Sequence, residues 1–143
     1  LRGIAVKADG TGAVAVSRTP EALISIDTVN RRMTDLITLG TDPSVVSLLE
    51  NETGAYSFVL CFKSNQVFIV DHQTMQVYVR VVGSGPQAVT FDKKRNLAYI
   101  ANFRESTITL LHSTPPFEHV SVKTSGENAK LMIGIPRLPE NNN

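Results

Sequence analysis

Residues Gly83–His112 read GSGPQAVTFDKKRNLAYIANFRESTITLLH. Three apolar runs alternate with three polar breaks. Gly83–Pro86 opens the stretch, Asp92–Arg95 is a charged break, and Arg104–Ser106 is a second polar break before Thr107–Leu111. Short runs rich in Val, Ile, Thr, Tyr and Phe, bounded by Gly, Pro, Asn, Asp and Ser, are strands joined by tight turns. The stretch is therefore three consecutive strands of one antiparallel unit.

The same unit recurs along the chain. The segments LRGIAVKADG (1–10), DPSVVSLLEN (42–51) and GPQAVTFDKK (85–94) stack with Ile4, Val46 and Val89 in one column, at steps of 42 and 43. A further step of 42 reaches Leu131, so the pattern begins a fourth time. A second column joins Val14, Phe58 and Tyr99, in AVAVSR, SFVLCF and AYIANF. A third joins Leu23, Val67 and Ile108, in strands that end at Asp27, Asp71 and His112. A fourth set, MTDLITLG, VYVRVVG and EHVSVKTSG, closes at Gly40, Gly83 and Gly126. The second-to-third spacing is constant, so the length change is expected in the loop between the first two strands, where a shared scaffold tolerates it. PSVVSLLENE could pass for a short amphipathic helix, but its column mates could not, so it reads as strand.

Four short strands per unit of about 40–50 residues are the signature of a β-propeller. The expected fold is all-β: four-stranded antiparallel blades, about three of them plus one strand. The blades fall at about 1–40, 41–83 and 84–126, the next begins at 128–135, and 136–143 is a polar tail. Three blades and a strand do not close a ring, which takes about four to eight. The chain is expected to be an arc of a larger ring, completed by more of its own polypeptide or by another chain. Both faces of a blade pack on neighbours, so inner strands should be apolar on both sides. The outer strands alternate, which sends Tyr78, Arg80, His119 and Ser121 toward water. Gly40, Gly83 and Gly126 are expected to let the chain turn inward, and Pro43 and Pro86 to sit where no ladder bond is donated.

The stretch 83–111 resembles the YVTN-type β-propeller repeat, with Gly83, Pro86, Tyr99, Ile100, Ala101 and Asn102 matching its Gly-x-x-Pro turn and Tyr-Val-Ala-Asn strand. The middle unit keeps Gly40, Pro43 and Asp71 but has FVLC where the motif has Tyr-Val-Ala-Asn, and the first unit lacks the Tyr and Asn. The resemblance spans about residues 1–135. It implies a propeller of the lactonase-like or quinoprotein-like kind, among which are binding scaffolds, secreted proteins and enzymes. It also implies a periplasmic or extracellular home.

Composition narrows the function classes. Hydrophobic residues make up 42% and charged residues 19% of the 143, which is globular rather than disordered. A net charge of +1 gives no drive toward nucleic acid or an anionic membrane. No apolar run is long enough to span a bilayer. Cys61 is the only cysteine, so neither an intrachain disulfide nor a cysteine cluster for zinc can form. The opening LRGIAV carries no Met and no signal peptide, and reads as a processed or excerpted start.

Candidate chemistry is sparse. The turns between blades and the turns between second and third strands share one face of a propeller. They carry Arg18, Asp42, Lys63, Ser84 and Arg104, a weakly basic collar suited to a small anionic ligand or an acidic partner. The bland alternative is that polar turns often carry a Lys or Arg. Asp27 and Asp71 suit turn-capping, accepting amide hydrogen bonds. His72, His112 and His119 lack metal-ligand spacing, and Cys61, in an apolar strand, reads as a small hydrophobe. GSGP lacks the Lys-Ser/Thr of a phosphate loop, Asp9–Gly12 is a tight hairpin, and Asp92–Arg95 is a solvated charge run without a stacking platform for nucleic acid. No catalytic residue, metal or cofactor is expected.

The leading expectation is a non-catalytic propeller scaffold that binds a protein or ligand, with a protein partner or the remaining blades as its neighbours. The alternative is a fragment of a lactonase-like or cofactor-dependent dehydrogenase propeller. A third class is a structural subunit of an extracellular assembly.

Overall fold

A computed structural model of the chain describes residues 1–121. Its strands are β1 (Gly3–Val6), β2 (Gly12–Arg18), β3 (Glu21–Asp27), β4 (Arg32–Thr38), β5 (Pro43–Asn51), β6 (Gly54–Cys61), β7 (Gln66–Asp71), β8 (Val77–Val81), β9 (Pro86–Asp92), β10 (Leu97–Asn102) and β11 (Thr107–His112). They form three antiparallel meanders, β1–β4, β5–β8 and β9–β11.

The registers place the sequence columns at equivalent ladder positions. Ile4, Val46 and Val89 lie opposite Ala15, Val59 and Ile100. Leu23, Val67 and Ile108 lie opposite Val16, Leu60 and Ala101. The segment from Pro43 is strand throughout, as its column mates require.

The longer middle unit departs from expectation. Its extra residues do not enlarge the first loop. They lengthen the ladder through Glu50↔Ala55 and Asn51↔Gly54, leaving only Glu52 and Thr53 outside the strands. Inside a ladder the added backbone groups pair with each other. Asn51 Oδ1 then accepts the Thr53 amide at 2.9 Å and closes the tip.

The core lies between the sheets. Successive side chains of β6 point to opposite faces. Val59 and Cys61 join Val14, Val16 and Leu23 of the first sheet, and Phe58 and Leu60 join Ile100 and Leu111 of the third. The middle sheet is thus covered on both faces, which is why SFVLC shows no alternation of polarity.

The outer strand of the middle sheet alternates in the opposite phase from that expected. Tyr78 and Arg80 point toward the third sheet, and Val77, Val79 and Val81 are exposed. After β11 the chain folds back and inserts Phe117, fully buried, into edge-to-face contact with Tyr56, Phe58 and Tyr78 at centroid distances of 5.1, 5.7 and 5.0 Å. Arg80 Nε donates to the Phe117 carbonyl at 3.2 Å. The aromatic cluster and the carbonyls beside it give Tyr78 and Arg80 better partners than water, and a one-residue phase change moves every side chain across the sheet. His119 and Ser121 are exposed as expected, with His119 bridging antiparallel to Leu111. Gly126, Leu131, the strand expected at 128–135 and the 136–143 tail lie outside the described residues.

β5 and β9 begin at Pro43 and Pro86, each beside a ladder irregularity. Gly40 and Gly83 serve close approach rather than an unusual turn. A Cβ on Gly83 would lie 2.6 Å from Asn102 Cγ, and one on Gly40 2.7 Å from Ser64 Oγ.

Candidate functional site

At one end of the stack, the turn after the second strand folds back on the turn that precedes the same sheet. In the middle sheet the Phe62 and Lys63 amides donate to the Asp42 and Thr41 carbonyls at 2.9 and 3.3 Å. In the third, the Phe103 and Arg104 amides donate to the Gly85 and Ser84 carbonyls at 2.7 and 3.1 Å. Repetition of this device brings Lys63 beside Asp42 and Arg104 beside Ser84.

Asp42 is not free to meet a ligand. It is 7% exposed, and its Oδ1 lies 3.2 Å from Arg2 Nη2 and 3.4 Å from Arg18 Nε. Its amide donates to Glu21 Oε1 at 3.3 Å, and its φ of 58° puts it in the left-handed region that Asp tolerates better than most residues. A buried carboxylate held by two guanidiniums is a knot tying the first sheet to the second. Arg18 is one half of that knot.

Lys63 and Arg104 are exposed, and neither forms an ion pair among the described residues. Arg104 lies over the Phe62 ring with its Cζ 4.7 Å from the centroid, a cation–π contact. Gly85, at φ 67°, lets this pair close over the turn, since a Cβ there would meet Arg104 Cγ at 2.9 Å. Ser84 is half-buried beneath it. Glu21 and Glu105 sit at the same end, so the collar is only weakly basic. Sequence reading missed Phe62 here. Its signal was the repeated Phe-Lys and Phe-Arg pairs, Phe62–Lys63 and Phe103–Arg104.

Beside the collar, an apolar cleft of about 410 Å³ opens on the third sheet, lined by Gln87, Ala88, Ala101, Asn102, Phe103 and Ser106. Asn102, 1% exposed, fixes its floor by donating Nδ2 to Thr107 and Thr109 Oγ1 at 3.2 and 2.9 Å.

A second, polar cleft of about 220 Å³ lies at the opposite end, between the first two sheets, where Lys7, Ser25, Thr34, Asp35 and His72 converge. Ser57 Oγ and His72 Nε2 lie 2.5 Å apart. Burial, then the charge of Lys7, hold the His72 pKa below its ordinary value against the pull of Asp71 and Asp35. Ser57 is fully buried, so this pair is a contact inside the packing rather than an exposed nucleophile and base. It was invisible in sequence, because serine and histidine come from different elements with no motif spacing.

Three further aspartates are committed to local structure. Asp27 Oδ1 accepts the Val29 and Asn30 amides, Asp71 Oδ1 those of Gln73 and Thr74, and Asp92 Oδ1 those of Lys94 and Arg95. The turn-capping expected of Asp27 and Asp71 is therefore present, and Asp92 does the same within its charge run. Burial pushes the Cys61 thiol up to about 11. Among the described residues no three His, Cys, Asp or Glu side chains are grouped to hold a metal, and no helix is long and apolar enough to cross a membrane.

Several solved structures share this arrangement of sheets. Hydrazine synthase of Kuenenia stuttgartiensis matches with a TM-score of 0.72 at 19% identity, over 82% of this chain and 34% of that one. The chain is an arc of a β-propeller. A protein of unknown function from Desulfotomaculum acetoxidans matches at 0.66 and 21% identity, over 87% of this chain and 42% of that one. A 6-phosphogluconolactonase-like protein of Bacteroides uniformis matches at 0.67 and 11% identity, over 87% and 41%. The arc thus spans about a third to two fifths of the length of the propeller chains it matches. Neither the family models nor the curated proteins match the sequence.

Proposed function

We propose that this chain is a non-catalytic arc of a YVTN-type propeller that binds an acidic protein segment or small anionic ligand at its collar. The observation that carries the reading is the division of labour at that end. Arg2 and Arg18 are both held on the single carboxylate of Asp42 in a sheet-to-sheet knot, while Lys63 and Arg104 are exposed without an ion-pair partner among the described residues, with Arg104 oriented by Phe62. A pre-oriented guanidinium loses less side-chain freedom when it meets an anion. The scaffold reading is further supported by how the acid and base groups are used. Asp27, Asp71 and Asp92 cap turns, and His72 faces a buried serine.

The test is calorimetric titration of the protein with a short poly-glutamate peptide and with inorganic tripolyphosphate, at low and high salt. Salt-sensitive binding that falls at least about tenfold in the Lys63→Glu/Arg104→Glu variant supports the collar, since screened surface contacts weaken with ionic strength. Equal binding by the variant sinks it, and sustained lactone hydrolysis by the intact protein overturns the scaffold reading. The YVTN-type resemblance supports a periplasmic or extracellular home. Recovery of the protein wholly in a cytosolic fraction overturns that.

A further inference from the structure

The junction between the first two sheets differs from the next junction at matching positions. Val14, Ser25 and Asp35 pair across β2–β4 as Phe58, Ile69 and Tyr78 pair across β6–β8. Gly12 opposes Asp27 as Tyr56 opposes Asp71. Directly paired residues share a face. In the middle sheet this face is aromatic, and Phe117 packs against Tyr56, Phe58 and Tyr78. In the first sheet it carries Gly12, Val14, Ser25 and Asp35, and all four line the polar cleft of about 220 Å³. One junction is plugged by a phenyl ring, and the other keeps a cleft walled by hydroxyl and carboxylate groups. Both walls belong to the first two sheets, so this lining is the same whatever completes the ring.

Ser25 marks the cleft as a site. It is 8% exposed, and its Oγ makes no hydrogen bond among the described residues. A buried hydroxyl without a partner is unfavourable, and a molecule that bonds it from within the cleft removes that cost. On the facing wall, Ser57 Oγ fixes the His72 imidazole through Nε2 at 2.5 Å.

The charges of the cleft define what it takes. The Lys7 stem lies across Gly12, where a Cβ would meet Lys7 Cδ at 3.2 Å. Lys7 and Asp35 both line the cleft, yet neither forms an ion pair among the described residues. Asp27, also on the lining, is committed to the Val29 and Asn30 amides. His72 is held below 6.5 by burial and by Lys7, so it is neutral at pH 7. The cleft therefore offers one unpaired cation and one unpaired anion, with neutral hydroxyls beside them. A simple anion would be repelled by Asp35 and a simple cation by Lys7, whereas a molecule bearing both charges is attracted by both.

We propose that this cleft binds a small zwitterion, a free α-amino acid, with its carboxylate on Lys7, its ammonium on Asp35 and the Ser25 hydroxyl bonding it from the wall. The site lies at the opposite end of the sheets from the collar and does not rest on anion binding there.

The test is calorimetric titration of the full chain with glycine, L-serine and L-glutamine. Acetate, ethylammonium and glycerol serve as controls that carry one charge or none. Saturable binding of at least one amino acid, with a Kd of about 1 mM or tighter, is expected, and every control should bind at least about tenfold more weakly. Lys7→Gln and Asp35→Asn each remove one charged partner and should each weaken binding by at least about tenfold. Ser25→Ile installs the residue that the middle sheet has at this position and should abolish binding. Melting curves report the folding of each variant, and the two charge variants alter half-buried and exposed side chains only. Absence of saturable amino-acid binding overturns the proposal. So does equal binding of any control, or binding that survives Lys7→Gln and Asp35→Asn unchanged. Tripolyphosphate binding at Lys63 and Arg104 is titrated separately, so failure of this cleft and failure of the collar are distinguishable.

Discussion

At the residue scale, two groups with shifted acidity carry predictions. Cys61 is fully buried, and burial pushes its thiol to about 11, so little thiolate forms at neutral pH. A thiol reagent should leave the native protein unlabelled and react stoichiometrically once denaturant is added; fast labelling of the native state would show the sheet-to-sheet packing to be wrong. His72 is held neutral by burial and by Lys7, with Asp71 and Asp35 opposing and Ser57 as its hydrogen-bonding neighbour. The unfolded chain takes up the proton first as pH falls through the ordinary histidine value of 6.5, so stability is full above 6.5 and declines below it. Denaturation midpoints measured across that range should show the decline, and His72→Asn should flatten it. Asp27 and Asp92 sit below 3.8, held first by Asn30 and Arg95 respectively, so their contribution persists above that pH and is lost as pH falls further. Ser57→Ala leaves the imidazole nitrogen unpaired and should cost about 1–3 kcal/mol.

At the scale of elements, the sequence was legible wherever one residue type has one physical use. Val46, Val89 and Ile4 fell into register because strand position fixes face, and face fixes polarity. Asp27 and Asp71 announced their turns because a short carboxylate accepts following amides. What stayed hidden depends on contacts between distant segments. Nothing near Tyr78 in sequence indicates that Phe117 will pack on it. At the collar, the positions of Lys63, Ser84 and Arg104 were legible from turn spacing, but the capture of Asp42 by Arg2 was not, since Arg2 lies 40 residues away. Gly83 was marked correctly for the wrong reason. Its need is space, because Asn102 packs where a Cβ would go and the Gly83 amide donates to Thr109 Oγ1 at 3.2 Å. Gly83→Ala should cost about 1–3 kcal/mol by forcing Asn102 from its threonine partners. Unchanged chemical-denaturation stability would show that the Asn102 contact yields freely.

At the scale of the whole molecule, Phe117 decides how firmly the third sheet is held to the second. The β9–β11 sheet contributes Ile100 and Leu111 to the shared core, and Phe117 seals it from the side with three aromatic partners. Removing a fully buried phenyl ring leaves a cavity that a close-packed interface only partly refills, which costs about 3–5 kcal/mol. Phe117→Ala should therefore lower the denaturation midpoint by that equivalent, and it should do so without changing the first sheet's packing on the second, which uses a separate cluster around Val59 and Leu23. Hydrogen exchange resolved by segment should show faster opening in β9–β11 and unchanged protection in β2 and β3. A paired comparison fixes the phase of β8. Tyr78→Ala removes a ring that packs on Phe117, whereas Val79 is 39% exposed on the opposite face, so the tyrosine variant should lose several-fold more stability. If Val79→Ala cost more, the outer strand would have its valines inward, and the plug that joins the second and third sheets would have to be redrawn.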